Sequence, residues 1–353
     1  MVKYAIAAAF AFVTSAHAGT VLWNGFFNSS FTVADFDKWS FSNEIQPWQW
    51  YIHGPGATSE YLAVSADYKN PADTSEAQGI KTTIDGTSFW NGQTMERTEI
   101  IPQTSANLGT GHLYYHFSLK TSDVNPPNAG YEHQIAFFES HFTELKYGLI
   151  SGEAGTTDNA LRWDINSQTQ WSQPLVPNVW MNFAYDIDFS AGTVALWYSE
   201  GSDPLTQVHA PVSTSPSTNS ADWHIGVLRL PNGGTSAAAE DYYWSGIYVE
   251  SGSLTTSPAG PNAGTAPSGP SSSSSSASAT SSAPASSSSA TTVSTTSSAP
   301  TATGSPVAHY GQCGGIGTSY VHVRLALAVA EELLHPQATP AARFAHPERH
   351  AQS

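Results

Sequence analysis

The stretch WMNFAYDIDFSAGTVALWYS, residues 180–199, carries the clearest structural signal in the sequence. Its first half has an apolar side chain at every second position: Met181, Phe183, Tyr185, Ile187 and Phe189. Because side chains alternate between the two faces of a strand, this spacing predicts a β-strand with one buried face. Ser-Ala-Gly then interrupts the pattern before a second apolar run, so the stretch predicts an antiparallel hairpin.

Strand patterns recur through the whole of residues 19–255. Further examples are HLYYHFSLK (112–120), HIGVLRL (224–230) and DYYWSGIYVES (241–251), and no segment has the spacing of a helix longer than two turns. About a dozen short strands separated by Gly, Pro and Asn turns are typical of an all-β domain. We therefore predict a two-sheet jelly-roll sandwich with a concave substrate-binding face, followed by a disordered linker.

The N-terminus and the segment after residue 255 differ from this pattern. Residues 1–18 combine Lys3, a short apolar run and Ala-His-Ala, which is typical of a cleaved signal peptide and predicts a secreted, extracellular protein. Residues 256–307 are nearly all Ser, Thr, Ala, Pro and Gly. Such a segment cannot bury enough apolar surface to fold, so we predict a glycosylated linker there.

The last segment, 308–353, begins with HYGQCGGIGTSY (309–320). These residues resemble the opening of the fungal family 1 cellulose-binding module, a small fold that depends on disulfides. Cys313 is the only cysteine of the chain, and a module of this size does not fold without such cross-links. We therefore interpret 308–353 as a truncated remnant of that module with an aberrant tail.

The charge of residues 19–255 limits the partners of this domain. It contains 25 of the 28 acidic and 8 of the 12 basic residues, a net charge of −17. Such a surface disfavours nucleic acid, anionic membranes and polyanionic sugars, and it is compatible with a neutral polysaccharide. All 11 tryptophans lie in the domain, and we interpret this surplus as suited to stacking on sugar rings. We expect the protein to act as a monomer.

Two predicted strands carry charges where apolar residues are expected. TMERTEII (94–101) places Arg97 and Glu99 on one face, and HQIAFFESHF (133–142) places Glu139 on a face shared with His133, Ile135, Phe137 and His141. Charges are costly to bury unless they are paired, so one interpretation is a set of structural ion pairs and core histidines. The other is a catalytic site.

A pair of carboxyl groups is what glycosidic hydrolysis requires. One carboxyl protonates the leaving oxygen, and the other acts as base or nucleophile. The acid needs an apolar setting that raises its pKa. We expect such a setting for Glu139 beside Phe137, whereas Glu99 lies close to Arg97 and is expected to stay ionised. These features predict Glu139 as the general acid and Glu99 as the second carboxylate.

The domain resembles glycoside hydrolase family 131. The resemblance rests on GTVLWNGFF (19–27), WQWYIHG (48–54), FWNGQTMERTEIIP (89–102), HQIAFFESHFTELKYG (133–148) and DFSAGTVALWYSEG (188–201). It implies a jelly roll, hydrolysis of β-1,3-, β-1,6- and β-1,4-glucans, and Glu99 and Glu139 as catalytic residues. It also implies a histidine matching His224, and it favours inversion of the anomeric centre. We assign the remaining substrate contacts to five residues: Arg97, His133, Trp50, Tyr51 and Trp90.

Other functions also fit parts of the sequence. A jelly-roll polysaccharide lyase shares the ERTEI and HQI strands, but it must neutralise substrate carboxylates with basic groups that this domain largely lacks. A copper-dependent oxidase needs an N-terminal histidine. Cleavage after Ala16 would make His17 the first residue, whereas the expected cleavage after Ala18 would not. A glucan-binding sandwich without catalytic activity is a further alternative. No spacing indicates a cofactor, although Asp186 and Asp188 leave a structural Ca²⁺ open.

Overall fold

The computed structural model describes residues 19–232, 234 and 236–261. The predicted signal peptide, most of the predicted linker and the predicted cellulose-binding remnant lie outside the described residues. No helix within the described ranges is long and apolar enough to cross a membrane.

Fifteen β-strands, numbered in chain order, make up most of the described chain. They are β1 (Thr20–Asn24), β2 (Trp48–Ile52), β3 (Leu62–Ser65), β4 (Gly79–Ile84), β5 (Glu96–Pro102), β6 (His112–Lys120), β7 (His133–Phe138), β8 (Thr143–Tyr147), β9 (Ala160–Ile165), β10 (Gln168–Pro174), β11 (Met181–Asp188), β12 (Thr193–Glu200), β13 (Thr206–Ser213), β14 (Trp223–Arg229) and β15 (Glu240–Ser251). The helices are short: α1 (Thr58–Tyr61) and the 3₁₀ helices Val33–Lys38, Ala66–Tyr68 and Trp90–Gly92.

The strands form two antiparallel sheets packed face to face. The eight-stranded sheet has the order β13-β12-β11-β6-β15-β4-β3, with β1 also paired to β15. The seven-stranded sheet has the order β10-β9-β8-β7-β14-β5-β2. The predicted hairpin forms as β11 and β12, paired from Met181 with Glu200 to Asp188 with Thr193. The prediction of an all-β jelly-roll sandwich is therefore confirmed.

Aromatic side chains fill the core between the sheets. Trp223 meets Tyr115 edge to face, with ring centroids 5.0 Å apart, and Trp163 and Trp244 are fully buried. Six of the 11 tryptophans belong to this core. Just over half of the tryptophans therefore fill the core, and our interpretation of them as suited to sugar binding was wrong for these six side chains.

A β-bulge between β7 and β14, with two residues of β14 opposite Ala136, reverses the side-chain alternation that the sequence predicts for β7. Ala136 has a φ of 47°, and between Phe137 and Ile135 the pairing with β14 shifts by one residue. Ile135 therefore points into the core, whereas Phe137 lies on the opposite face of the sheet, hereafter the outer face. Gly226 is one of the two β14 residues opposite Ala136; it has a φ of 146°, and a Cβ there would lie 2.1 Å from the carbonyl oxygen of Thr98. Only glycine fits that position.

The folded domain extends past the predicted boundary at residue 255. The Thr256 carbonyl accepts a hydrogen bond from the Leu205 amide, at 2.8 Å. The Ala259 carbonyl accepts hydrogen bonds from the Thr74 amide and the Ser75 hydroxyl, at 3.2 and 2.9 Å. These bonds tie the start of the predicted linker to the rest of the domain.

Candidate active site

The outer face of β5 presents Arg97 and Glu99. Thr98 between them points inward and donates a hydrogen bond to the Thr83 carbonyl of the opposite sheet, so its two neighbours point outward. Arg97 holds Glu99 through two hydrogen bonds, from Nε to Oε1 at 2.7 Å and from Nη2 to Oε2 at 2.8 Å. The Glu99 side chain has no exposed surface. The two charges of this strand therefore form a buried, bidentate pair.

His224, on the neighbouring strand β14, connects Glu99 to Glu139. Its Nδ1 lies 2.6 Å from Glu99 Oε2, and its Nε2 lies 3.3 Å from Glu139 Oε2. The Phe137 ring stacks on the imidazole, with the ring centroids 4.6 Å apart and the planes nearly parallel. The structure thus brings together four of the predicted site residues, Arg97, Glu99, Glu139 and His224, in one hydrogen-bonded group.

The charges of this group determine its protonation. Burial opposes ionisation of Glu99, but Arg97 and His224 outweigh it and lower the pKa of Glu99 to about 2. Burial also opposes the charge on His224, but Glu99 and Glu139 outweigh it and raise the pKa of His224 above its usual value of 6.5. The free site therefore holds an ionised Glu99 beside a histidine that readily keeps a second proton.

Glu139 differs from the prediction in position and in pKa. It lies in the turn after β7, where its amide donates to the Asp222 carbonyl, and its side chain is 52% exposed. Its partial burial acts to raise the pKa, but the hydrogen bond and charge of His224, together with Arg97, lower the pKa below 4.5. The expectation that an apolar setting raises the pKa of Glu139 was wrong for the free protein, because His224 is the dominant neighbour.

A profile described as the glycoside hydrolase 131 catalytic N-terminal domain matches residues 21–255. This chain belongs to glycoside hydrolase family 131. It is similar to the crystal structure of a GH131 β-glucanase catalytic domain from Podospora anserina, with 58% identity and a TM-score of 0.67 over 69% of this chain and 100% of that chain. It is also similar to the family 131 catalytic domain from Coprinopsis cinerea, with 49% identity and a TM-score of 0.64 over 68% and 98% of the respective chains. No curated protein sequence matches the chain.

The aromatic residues predicted to line the groove of this family 131 domain separate into two groups. Trp50 is buried, donates a hydrogen bond to Thr58 and stacks on His53, so it belongs to the core and does not line a groove. Tyr51 and Trp90 are half-buried on the outer face, with ring centroids 5.9 Å apart. The guanidinium of Arg97 lies over the Trp90 ring, 5.4 Å from its centroid. These two rings therefore adjoin the Arg97–Glu99 pair.

His133 lies away from the family 131 site. It is fully buried between the sheets, and its Nε2 lies 2.7 Å from Glu240 Oε2 at the start of β15. Arg229 binds the same carboxylate and also pairs with Glu96. The assignment of His133 to substrate binding was wrong, because the bulge at Ala136 turns His133 inward and leaves Phe137 outward.

The structure adds His141, which the sequence pattern singled out but did not assign to the site. His141 has a φ of 51° and stacks on the far side of Phe137, at 5.1 Å between centroids, while its Nδ1 contacts Glu144 at 2.9 Å. The three rings of His224, Phe137 and His141 thus form one stack on the outer face. Two histidines in one short aromatic motif were the available signal; the strand pattern placed His141 correctly on the face of Phe137 and placed His133 on the wrong face.

The acidic residues considered for Ca²⁺ have protein partners. Asp186 accepts hydrogen bonds from His112 and from Trp197 Nε1, and Asp188 accepts from two amides of its hairpin turn. Within the described ranges, no group of three or more His, Cys, Asp or Glu side chains is arranged to hold a metal ion.

Proposed function

We propose that this glycoside hydrolase is a secreted β-glucanase that cleaves β-1,3-, β-1,6- and β-1,4-glucosidic bonds, with Glu99 and Glu139 as its carboxyl pair. The Podospora anserina relative is described as a β-glucanase, and this chain shares 58% of its sequence. The net charge of −17 over residues 19–255 supports a neutral polysaccharide rather than an acidic one.

The observation that carries the proposal is the single imidazole between the two glutamates. His224 contacts Glu99 through one ring nitrogen and Glu139 through the other. Glu139 is the exposed carboxylate of the pair and therefore the one that a sugar meets first. A sugar covering Glu139 removes water from it and favours its neutral form, so the proton of Nε2 passes to Glu139 Oε2. Glu139 then protonates the glycosidic oxygen as the bond to the anomeric carbon breaks.

Glu99 takes the second role, in which a water attacks the anomeric carbon and gives up its proton. Loss of the His224 charge raises the pKa of Glu99, because that charge is one of the two that lower it. In the free protein Glu99 Oε1 accepts a hydrogen bond from Arg97, and Oε2 accepts hydrogen bonds from Arg97 and His224. Oε1 keeps one acceptor site for a water, which must enter a position where Glu99 has no exposed surface in the free protein.

The spacing of the pair allows inversion, which the family resemblance also favours. One imidazole ring and two polar contacts lie between the carboxylate oxygens of Glu99 and Glu139, so these oxygens are at most about 8 Å apart, and this upper limit admits the ~6.5–9.5 Å spacing of inverting enzymes. We expect proton NMR to show the α-anomer as the first product from a β-glucan. The β-anomer as first product would contradict inversion.

The proposal is tested by product analysis on laminarin, pustulan and a soluble cellulose derivative. The wild type is expected to hydrolyse these glucans, and Glu139→Gln is expected to lose nearly all turnover while still binding oligosaccharides, because Gln cannot supply a proton. Glu60→Gln, which changes an exposed glutamate on α1, is the matched control. Retention of a tenth or more of the activity by Glu139→Gln would exclude it as the acid. Glucan binding without any turnover by the wild type would indicate a binding module, and unsaturated products from alginate or pectate would indicate a lyase.

A further inference from the structure

An aromatic cluster lies at the β2 edge of the seven-stranded sheet. Phe41 packs against Tyr51 and Trp39, with ring centroids 5.0 and 4.8 Å away, and Tyr51 also stacks on Trp39 at 5.3 Å. Trp39 is buried and Tyr51 is half-buried, whereas Phe41 is 60% exposed. We call Trp39, Phe41 and Tyr51 the edge platform.

The exposure of Phe41 is unusual in this domain. Among the residues that the structure describes, it is the only exposed phenylalanine, tyrosine or tryptophan. A tight turn holds it in place, because Ser40 and Asn43 exchange two backbone hydrogen bonds of 3.0 Å and the Asn43 side chain donates to the Lys38 carbonyl at 2.7 Å. The Trp39 and Tyr51 rings pack against Phe41, and the turn restrains its backbone, so the Phe41 ring is held with its apolar face exposed to solvent.

The edge platform is continuous with the candidate active site. Tyr51 contacts Trp90, Trp90 lies under the guanidinium of Arg97, and Arg97 binds Glu99. β2, which carries Tyr51, pairs directly with β5, which carries Arg97 and Glu99. The exposed ring is therefore the far end of an unbroken row of contacts that starts at the carboxyl pair.

We propose that the Phe41 ring is a stacking site for a glucosyl residue of the bound glucan, more than one residue away from the bond that is cleaved. The C–H face of a glucose ring is apolar and neutral, and a fixed, exposed aromatic ring provides apolar area at little cost in side-chain entropy. Binding energy obtained this far from the scissile bond is available only to chains long enough to span both places. This inference rests on the proposed function, because it extends the substrate groove of the same site.

The test compares Phe41→Ala, Phe41→Leu and Phe41→Trp on glucan oligosaccharides from disaccharide to octasaccharide. Ala and Leu are expected to raise KM for the longest oligosaccharides about tenfold, equivalent to about 1.4 kcal/mol, without changing kcat/KM for the shortest ones. Trp is expected to retain the affinity. Val124→Ala, which shortens an exposed apolar side chain on the loop after β6, is the matched control. An equal effect on all lengths, or no effect on any, would overturn the proposal.

Two further measurements separate stacking from folding and from catalysis. Leu keeps the apolar contact with Tyr51 and Trp39, so a purely structural role predicts that Leu behaves as the wild type while Ala lowers the melting temperature. Calorimetric titration of Glu139→Gln with oligosaccharides measures binding without turnover. If the wild type hydrolyses no glucan but loss of the Phe41 ring weakens binding of long oligosaccharides, the proposed function fails and the stacking site stands. If long oligosaccharides do not bind at all, both fail.

Discussion

Replacement of Glu99 by glutamine is expected to destabilise the domain far more than replacement of Glu139. Glu99 has no exposed surface, and its oxygens accept hydrogen bonds from Arg97 and His224. Glutamine keeps the shape of the side chain but leaves the buried Arg97 charge without its ion partner. Glu139 is half exposed, and exposed ion pairs contribute only about 0–1 kcal/mol.

The pKa of Glu99 gives the size of the effect. The difference between the ordinary glutamate value of 4.5 and the value of about 2 corresponds to about 3 kcal/mol of folding free energy. For a domain of this length, about 3 kcal/mol lowers the melting temperature by roughly 6–12 °C. The Glu99→Gln variant is expected to melt that much earlier near neutral pH, whereas Glu139→Gln is expected to stay within about 2 °C of the wild type.

The loss of stability in Glu99→Gln should also become smaller as the pH falls. A carboxyl whose pKa is lowered by folding contributes its full stability above its unfolded pKa and loses it as the pH falls towards its folded pKa. For Glu99 this window lies between about pH 5 and pH 2. The gap in melting temperature between the wild type and Glu99→Gln should therefore shrink as the pH falls through that window.

Differential scanning calorimetry at pH 6 and pH 3 measures both quantities, with Glu139→Gln as the control. A Glu99→Gln variant that melts within about 2 °C of the wild type at pH 6 would refute the reasoning. A gap of the same size at both pH values would also refute it, because the charge of Glu99 would then not be its source.

Further predictions follow from the same contacts. Replacing His224 by Gln is expected to lower kcat by at least about a hundredfold. The activity of the wild type should fall as the pH rises through the raised pKa of His224, and the variant should lack this fall. A pH–rate profile of both proteins measures the two effects. Ala136→Val is expected to destabilise the domain, because a β-branched residue does not tolerate a φ of 47°, whereas Ala136→Gly should melt close to the wild type. A chain ending at Thr255 is expected to melt below one ending at Pro261, by about 1 kcal/mol for each backbone hydrogen bond that it loses; equal melting temperatures would place the domain boundary at 255.

Local patterns in the sequence were sufficient for the fold. Two-residue alternation and turn residues gave the β11–β12 hairpin, because both features depend on neighbours along the chain. The charged residues of the ERTE motif and of HQIAFFES also marked Glu99 and Glu139 as candidate site residues. A charged side chain is costly to bury without a partner, so it is recognisable within an apolar strand whatever that strand packs against.

Only the tertiary structure decided which way these side chains point and what surrounds them. The sequence contains no local sign of the bulge at Ala136, which arises where β7 pairs with β14 opposite Gly226, so alternation placed His133 and Phe137 on the same face when they lie on opposite faces. The pKa of Glu139 depends on His224, which lies far from it in the sequence and on the neighbouring strand. Trp50 likewise is buried, although it is predicted from the sequence to bind substrate, because burial is set by packing between distant segments. Residue type and spacing thus determine which ionisable and aromatic side chains are present. Pairing across strands determines the pKa values of these side chains, their exposure and the residues that they contact.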